Sequence, residues 1–393
     1  MSAPALLDVP PESAAGGRAT ASLSPPAAAV RVLHLINGEH YAGAERVQDL
    51  LALRLPDEGF QVGFACLKPG RFAESRQARS AALYDVPMRG KLDLRPARRL
   101  ARLVREAGYA LIHSHTPRSA LVGRAAAWMS GVPLVHHVHS QTTSEIGRRW
   151  TSRLNAFTER LSLSGAAAVI AVSESAGNYA ADQGIARRII RLVPNGIPTP
   201  DQAAERMPPA GAWTLGTVAL FRPRKGLEVL LEALALLRGR GLPVTLRAVG
   251  PFEEPAYRAE VEQLARQLGV AEHVEWTGFV RDVPAELARM DLFAFPSLLP
   301  EGMPMVVLEA MAAGTPIVAS RVPGVIDVLG AGDGLLVPPA DAAALAEAVA
   351  RIIRGEADYC GLRRRAQRRQ AERFSDRSMA AGVAAVYREV LAR

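Results

Sequence analysis

From Val30 onward the apolar positions fall into short runs of four to seven residues, alternating with longer stretches whose apolar residues recur every three or four positions. Val30–Ile36 is such a run. It is followed by Asn37-Gly38 and then by helical spacing over Glu45–Leu55, which reads as strand, loop and helix. Further strands are predicted near Val62–Leu67, Leu111–His113, Leu134–Val138, Ala168–Val172 and Ile189–Val193, with helices over Arg95–Glu106 and Ser119–Met129. The rhythm pauses at Pro194-Asn195-Gly196 and across the Pro- and Ala-rich residues 198–211. It resumes with strands at Thr214–Ala219, Val244–Val249, Val274–Trp276, Leu292–Phe295, Pro316–Ala319 and Leu335–Val337.

Short buried runs alternating with helices imply a parallel sheet covered on both faces, and the pattern occurs twice. The fold class is therefore α/β, with two Rossmann-like domains facing a central cleft, the usual ligand site of such sheets. The expected boundaries are an N-terminal tail over 1–29, a first domain over 30–198, a second over 199–374 and a last helix over 375–393. Periodicity does not give the destination of that helix. The tail is dominated by Ala, Pro, Ser and Gly and has no face to bury, so it is expected to be disordered.

Composition narrows the class. Cys66 and Cys360 stand far apart in no metal-like spacing, which excludes a disulfide framework and a cysteine zinc site. The apolar run Ala166–Val172 is too short to span a bilayer and no signal segment stands out, so a cytoplasmic location is expected. The net charge of +8 favours anionic partners. Aromatic residues are only 5% of the chain and are not interleaved with the basic runs, which argues against a nucleic-acid partner.

Candidate chemistry concentrates in strand-to-helix loops. In Pro296-Ser297 and the following Glu301 to Gly314, Pro304 suits the first turn of a helix and Gly314 its end. Glu301 then lies in the loop and Glu309 in the middle of an otherwise apolar helix. A carboxylate there needs donors, either ligand hydroxyls or an internal partner. Arg222-Pro223-Arg224-Lys225-Gly226 ends the first strand of the second half, as a diphosphate clamp at a helix start or as a solvated basic turn. It is not a P-loop. Gly43 lies in a third strand-to-helix loop, where it permits close backbone approach, and the absence of G-x-G-x-x-G removes the nicotinamide-dinucleotide reading.

Five histidines, His113, His115, His136, His137 and His139, gather at the ends of two neighbouring strands. No carboxylate or cysteine set accompanies them, so no metal is expected. His139, at the tip of its strand, is the best placed to reach a substrate. Arg148–Leu161 carries Trp150, Leu154, Phe157 and Leu161 at helical spacing beside arginines, as an interfacial helix on anionic lipid or as a helix packed on its own sheet. The run Arg363–Arg369 reads as a surface for phosphate-rich partners or, more commonly for such runs, as a solvated helix face.

Together these residues resemble the family-4 glycosyltransferases, retaining enzymes of the GT-B fold, over nearly everything from residue 30 onward. The most specific likeness is Pro-Ser followed after three residues by Glu-Gly at 296–302, with seven residues between Glu301 and Glu309, and Glu-Ala-Met-Ala-x-Gly-x-Pro-Ile-Val-Ala at 309–319. Gly-Ala-Glu at 43–45, Ile-His-Ser-His at 112–115, Ala-Val-Ser-Glu at 171–174, Val-Pro-Asn-Gly-Ile at 193–197 and Arg-x-x-Lys-Gly at 222–226 support it, as do Gly-Phe-Val-Arg-Asp-Val at 278–283 and Gly-Leu-Leu-Val-Pro-Pro at 334–339.

The resemblance implies a metal-independent transfer from a nucleotide-diphosphate sugar to a glycan or lipid-linked acceptor, as in bacterial surface polysaccharide or glycolipid synthesis. No cofactor is expected, and peripheral contact with the inner membrane near such an acceptor goes with the interfacial reading of Arg148–Leu161. Glu309 would bind the ribose hydroxyls, while Glu301, Gly302, Met303 and Met305 would face the donor sugar. Arg222 and Lys225 would hold the diphosphate, Gly43 would lie beside it, and His139 would lie near the transferred sugar. The last helix would cross back to the first domain. The chain departs from the pattern in having Leu220 where many relatives carry the clamp arginine, Pro304 without an N–H, and Asp327 where relatives often have glutamate. A nucleotide-sugar epimerase and a non-catalytic sugar-nucleotide-binding protein are the alternatives.

Overall fold

In the computed structural model, residues 29–39, 41, 43–90, 93–139, 165–200, 206–330 and 332–393 are described. The tail, apart from Ala29, and the Arg148–Leu161 stretch lie outside the described residues. Among the described residues no helix is long and apolar enough to cross a membrane.

The described residues form two parallel sheets. The first is seven-stranded in the order β3-β2-β1-β4-β5-β6-β7, from β1 (Val30–Ile36), β2 (Phe60–Cys66), β3 (Ala82–Asp85), β4 (Leu111–Ser114), β5 (Leu134–Val138), β6 (Ala168–Ala171) and β7 (Ile190–Leu192). The second is six-stranded in the order β10-β9-β8-β11-β12-β13, from β8 (Trp213–Val218), β9 (Val244–Val249), β10 (Val274–Gly278), β11 (Leu292–Phe295), β12 (Ile317–Ser320) and β13 (Leu335–Val337). In each sheet the strand order reverses at the first strand, which opens a crevice beyond the strand ends. The central strands β4, β5, β6, β11 and β12 are buried along their whole length; β6 and β11 are apolar throughout, whereas β4 and β5 also bury His113, Ser114, His136 and His137.

Sequence pattern located the other strands to within one or two residues, but it did not reveal β3. That strand is four residues long, half-exposed at the sheet edge and without alternation to betray it. Pro304 is also placed differently from expectation. It caps the Met305–Ala313 helix from outside, at φ −72° and ψ 113°, while Gly314 closes that helix in the left-handed region at φ +65°.

The last helix, Asp376–Leu391, lies against the first domain. It packs on the Gly43–Arg54 helix and on β6, and Asp376 accepts from Arg54 Nε at 2.6 Å. Ile197 bridges in parallel to Ser375, so the two interdomain strands of chain run side by side.

The Arg363–Arg369 run departs from the solvated face that its sequence suggests. Arg363 is 6% exposed and donates to Gly314 O at 2.8 Å and Arg206 O at 2.6 Å. Arg365 donates to Gly332 O and Arg369 to Val328 O, so these guanidinium groups satisfy loop and helix-end carbonyls. Arg364 and Arg368 remain exposed on the outer face of the same helix. Replacing Arg363 by Ala is expected to lower the unfolding free energy by about 2–4 kcal/mol, since two charge-assisted bonds go and buried carbonyls stay behind. Exposed Arg364→Ala should cost less than about 0.5 kcal/mol. Urea unfolding of the two variants side by side measures the difference.

Candidate active site

Three strand-to-helix loops meet in the crevice. After β8, Pro223–Lys225 makes one 3-10 turn and Gly226 takes φ +68° before the Leu227–Gly239 helix. A Cβ at Gly226 would lie 2.1 Å from Pro296 O, so only glycine lets this loop touch the one after β11. Leu298 N then donates to Arg224 O at 2.9 Å, tying the loops together.

Glu301 sits where they join. Its Oε1 accepts from Lys225 Nζ at 2.6 Å and from Ser297 Oγ at 2.6 Å, and Arg224 approaches its other oxygen at 3.5 Å. Lys225 Nζ also lies 5.3 Å from the centroid of the Phe295 ring. Gly324, at φ +83°, lets the backbone of Glu301 and Gly302 pass, because a Cβ there would lie 2.2 Å from Glu301 O. Arg222 is not drawn into this group; its guanidinium pairs with Glu253 at 2.6 Å on the rim. Of the basic loop, Arg224 and Lys225 face Glu301 and Arg222 faces away.

The Met305–Ala313 helix follows, buried at nearly every position including Glu309, which is 5% exposed. Burial pushes the Glu309 carboxyl above its usual range, opposed by Arg46, whose Nη2 donates to Glu309 Oε1 across the interdomain crevice. Gly43 faces Met305 in the same place, with its Cβ position 3.7 Å from Met305 Cγ. Met303, 6% exposed, is held from the first domain by Asn195, whose Nδ2 donates to Met303 O at 3.3 Å. Asp327 accepts from Ser175 Oγ at 2.8 Å, a further bond between the domains.

Neither the Leu227–Gly239 helix nor the Met305–Ala313 helix has a side-chain N-cap, and the latter has no acidic residue in its first turn. Their leading N–H groups are suited to an anion in the crevice.

Sequence reasoning missed Arg46, Ser297 and Asn195. Arg46 had one available signal, since a cation in the first turn of a helix opposes the helix dipole and calls for a nearby anion.

The histidines form a layer of their own. In parallel sheets, side chains two residues apart share a face, and His34 is in register with His113, as Ser114 is with His136. His34, His113, His115, His137 and His139 therefore line one face, with His34 an addition the sequence did not suggest. Tyr387 of the last helix closes the layer, its hydroxyl 2.9 Å from His34 Nε2 and 2.6 Å from His113 Nδ1. His115 reaches His34 Nδ1 at 3.1 Å and His139 Nε2 at 3.0 Å. His136 points to the other face and meets Ser114 Oγ at 2.9 Å. His139 is partly exposed, while His137 is buried with neither ring nitrogen partnered.

Burial holds all six imidazoles neutral. His34 and His136 are lowered to about 3 and His139 to about 4, and His113, His115 and His137 fall well below the ordinary value of 6.5.

Residues 41–200 match the family described as Glycosyltransferase Family 4, and residues 212–355 match Glycosyl transferases group 1. The chain is 30% identical over 323 residues to the putative glycosyltransferase EpsF of Bacillus subtilis, covering 78% of this chain and 82% of that protein. It is 30% identical over 286 residues to the phosphatidyl-myo-inositol mannosyltransferase of Mycobacterium leprae, covering 69% and 72%. Its fold is similar to that of Anabaena HepE, solved in complex with UDP, with a TM-score of 0.82 at 23% identity over 92% of this chain and 100% of that one.

The histidine layer makes acid stability a sharp expectation. A base whose folded pKa lies below its unfolded value contributes stability that is full above pH 6.5 and is lost as pH falls toward the folded pKa. Six such groups lose together more than about 5 kcal/mol between pH 7 and pH 5.5, comparable with the stability of a whole domain. Unfolding followed by circular dichroism should therefore set in between pH 6 and pH 5. His137→Phe, which removes one of these bases, should move the midpoint to lower pH.

Proposed function

The chain belongs to the family-4 glycosyltransferases of the GT-B fold, and from that membership and its crevice we propose that it moves a sugar from a nucleotide-diphosphate donor to a glycan or lipid-linked acceptor, with retention of configuration. The observation that carries this reading is the Lys225–Glu301 pair in the second-domain loops together with the Glu309–Arg46 pair across the crevice, beside uncapped helix N-termini. Both matched families are glycosyltransferases, which does not favour the epimerase reading.

The donor replaces internal partners with its own groups. Ribose hydroxyls donate to Glu309 and free Arg46, which relieves a buried carboxylate of dependence on one half-exposed guanidinium. The diphosphate takes Lys225 and draws Arg222 from Glu253, with Arg224 held ready through its bond to Pro300 O at 3.0 Å. N–H groups at the starts of the Gly43–Arg54, Leu227–Gly239 and Met305–Ala313 helices add partial positive charge where the leaving phosphate gathers negative charge. These fixed charges do the work of a metal at the diphosphate. Glu301, with Gly302, Met303 and Met305, lines the sugar, and neutral His139 serves as a hydrogen-bonding group on its far side. The acceptor hydroxyl attacks the anomeric carbon on the face the leaving group vacates.

The relatives named phosphatidyl-myo-inositol mannosyltransferase support a surface glycan or glycolipid as the acceptor class.

UDP, GDP or ADP sugars should raise the melting temperature, by about 2.7 kcal/mol of stability at a hundredfold excess over Kd. Glu309→Gln should abolish most of that shift. Lys225→Ala should slow transfer by roughly a hundred- to a thousandfold, or 2–4 kcal/mol of barrier. A rate within a few-fold of wild type, with no stabilisation by any of the three donors, would end the proposal.

A further inference from the structure

Of the five imidazoles on one face of the first sheet, three form an arrangement that hydrogen bonding within the protein leaves incomplete. His115, His137 and His139 each offer a ring nitrogen, and these nitrogens lie within 4.8 Å of one another. His137 is 1% exposed and neither of its nitrogens has a partner; His139 Nδ1 has none either. Buried polar atoms are rarely left in that state unless something occupies the space between them.

The spacing suits a metal ion. Tetrahedral coordination with bonds of 2.0–2.1 Å separates neighbouring ligand nitrogens by about 3.3 Å. His115 Nδ1 and His139 Nε2 already stand 3.0 Å apart, so an ion entering between them need open that pair by only a few tenths of an ångström. The rings behind are arranged as an outer layer. His115 Nε2 meets His34 Nδ1 at 3.1 Å, and His34 Nε2 meets the Tyr387 hydroxyl at 2.9 Å, which fixes the tautomer and orientation of His115. The rings are neutral and so need shed no proton before ligation.

A second group, His34, His113 and His115, has the same spacing, but all three are buried and two are already held by Tyr387. In the first group His139 is partly exposed, which supplies an entry path from the surface. An all-imidazole set without carboxylate prefers Zn²⁺, Co²⁺, Ni²⁺ or Cu²⁺ to Mg²⁺ or Ca²⁺.

We propose that His115, His137 and His139 form a binding site for one divalent transition-metal ion of the zinc class, on the first-domain side of the crevice and separate from the diphosphate loops. The ion and a sugar compete for His139, so the site couples metal occupancy to substrate access.

Binding of Co²⁺ to the chelator-stripped full-length chain tests this without any donor or acceptor. The expected result is one equivalent per chain, with the intense visible absorption of tetrahedral Co²⁺, displaced by added Zn²⁺. His115→Ala and His137→Ala should each weaken binding at least tenfold, whereas Lys225→Ala and His273→Ala should leave it unchanged. Nitrogen NMR of wild-type imidazoles, with Zn²⁺ added, should shift three rings, which identifies the ligands even where a variant fails to fold. Substoichiometric uptake, a pale octahedral spectrum, binding that survives both variants, or fewer than three shifted rings would overturn the proposal.

Discussion

A carboxylate buried in an apolar helix organises the crevice. Glu309 stands among Leu308, Ala310 and Met311, where an isolated charge would be far too costly, and its folded state depends on one guanidinium reaching over from the other domain. That single requirement brings the starts of the Gly43–Arg54 and Met305–Ala313 helices together and sets how closely the two halves approach. Gly43 follows from it, since the first-domain helix must pass within van der Waals reach of Met305. A ligand carrying vicinal hydroxyls can satisfy the same carboxylate, so the contact that closes the crevice is also the one a substrate can replace.

Around that pair, glycine and backbone carbonyls determine where the remaining charges stand. Gly226 and Gly324 both hold left-handed conformations in which a side chain would strike the backbone of the loop carrying Glu301. Lys225 and Glu301 meet because the two loops are in contact, and Arg222, two residues before the contact point, falls outside it. The C-terminal helix then secures the relation between domains. It leaves the second domain beside Ile197, packs on the first, and delivers Tyr387 to the histidine layer.

The histidines follow a different physical logic. Alternation along β4 and β5 places two pairs on one face, and parallel register adds His34, so five rings pile up where burial disfavours their charged form. Hydrogen bonds run from Tyr387 through His34 and His115 to His139, which links the last helix to the mouth of the crevice. The layer is at once a source of acid sensitivity and a set of neutral ligands.

What the sequence determined by itself is everything that depends on short-range pattern. Two runs of alternating strands and helices give two parallel sheets, because strands buried on both faces read as short, mainly apolar runs. The spacing of Glu301, Pro304, Glu309 and Gly314 located a loop and a buried carboxylate, because helix ends impose their own residue preferences. The tertiary structure alone decided which partner each of these groups finds. Arg46 lies 263 residues from Glu309, and Tyr387 lies 353 from His34. Arg363, Arg365 and Arg369 turned to carbonyls that periodicity cannot see, and β3 formed only because β2 offered an edge. Pairings between distant positions are fixed by the cost of leaving buried polar groups unmet, and that cost is defined only once the chain has folded.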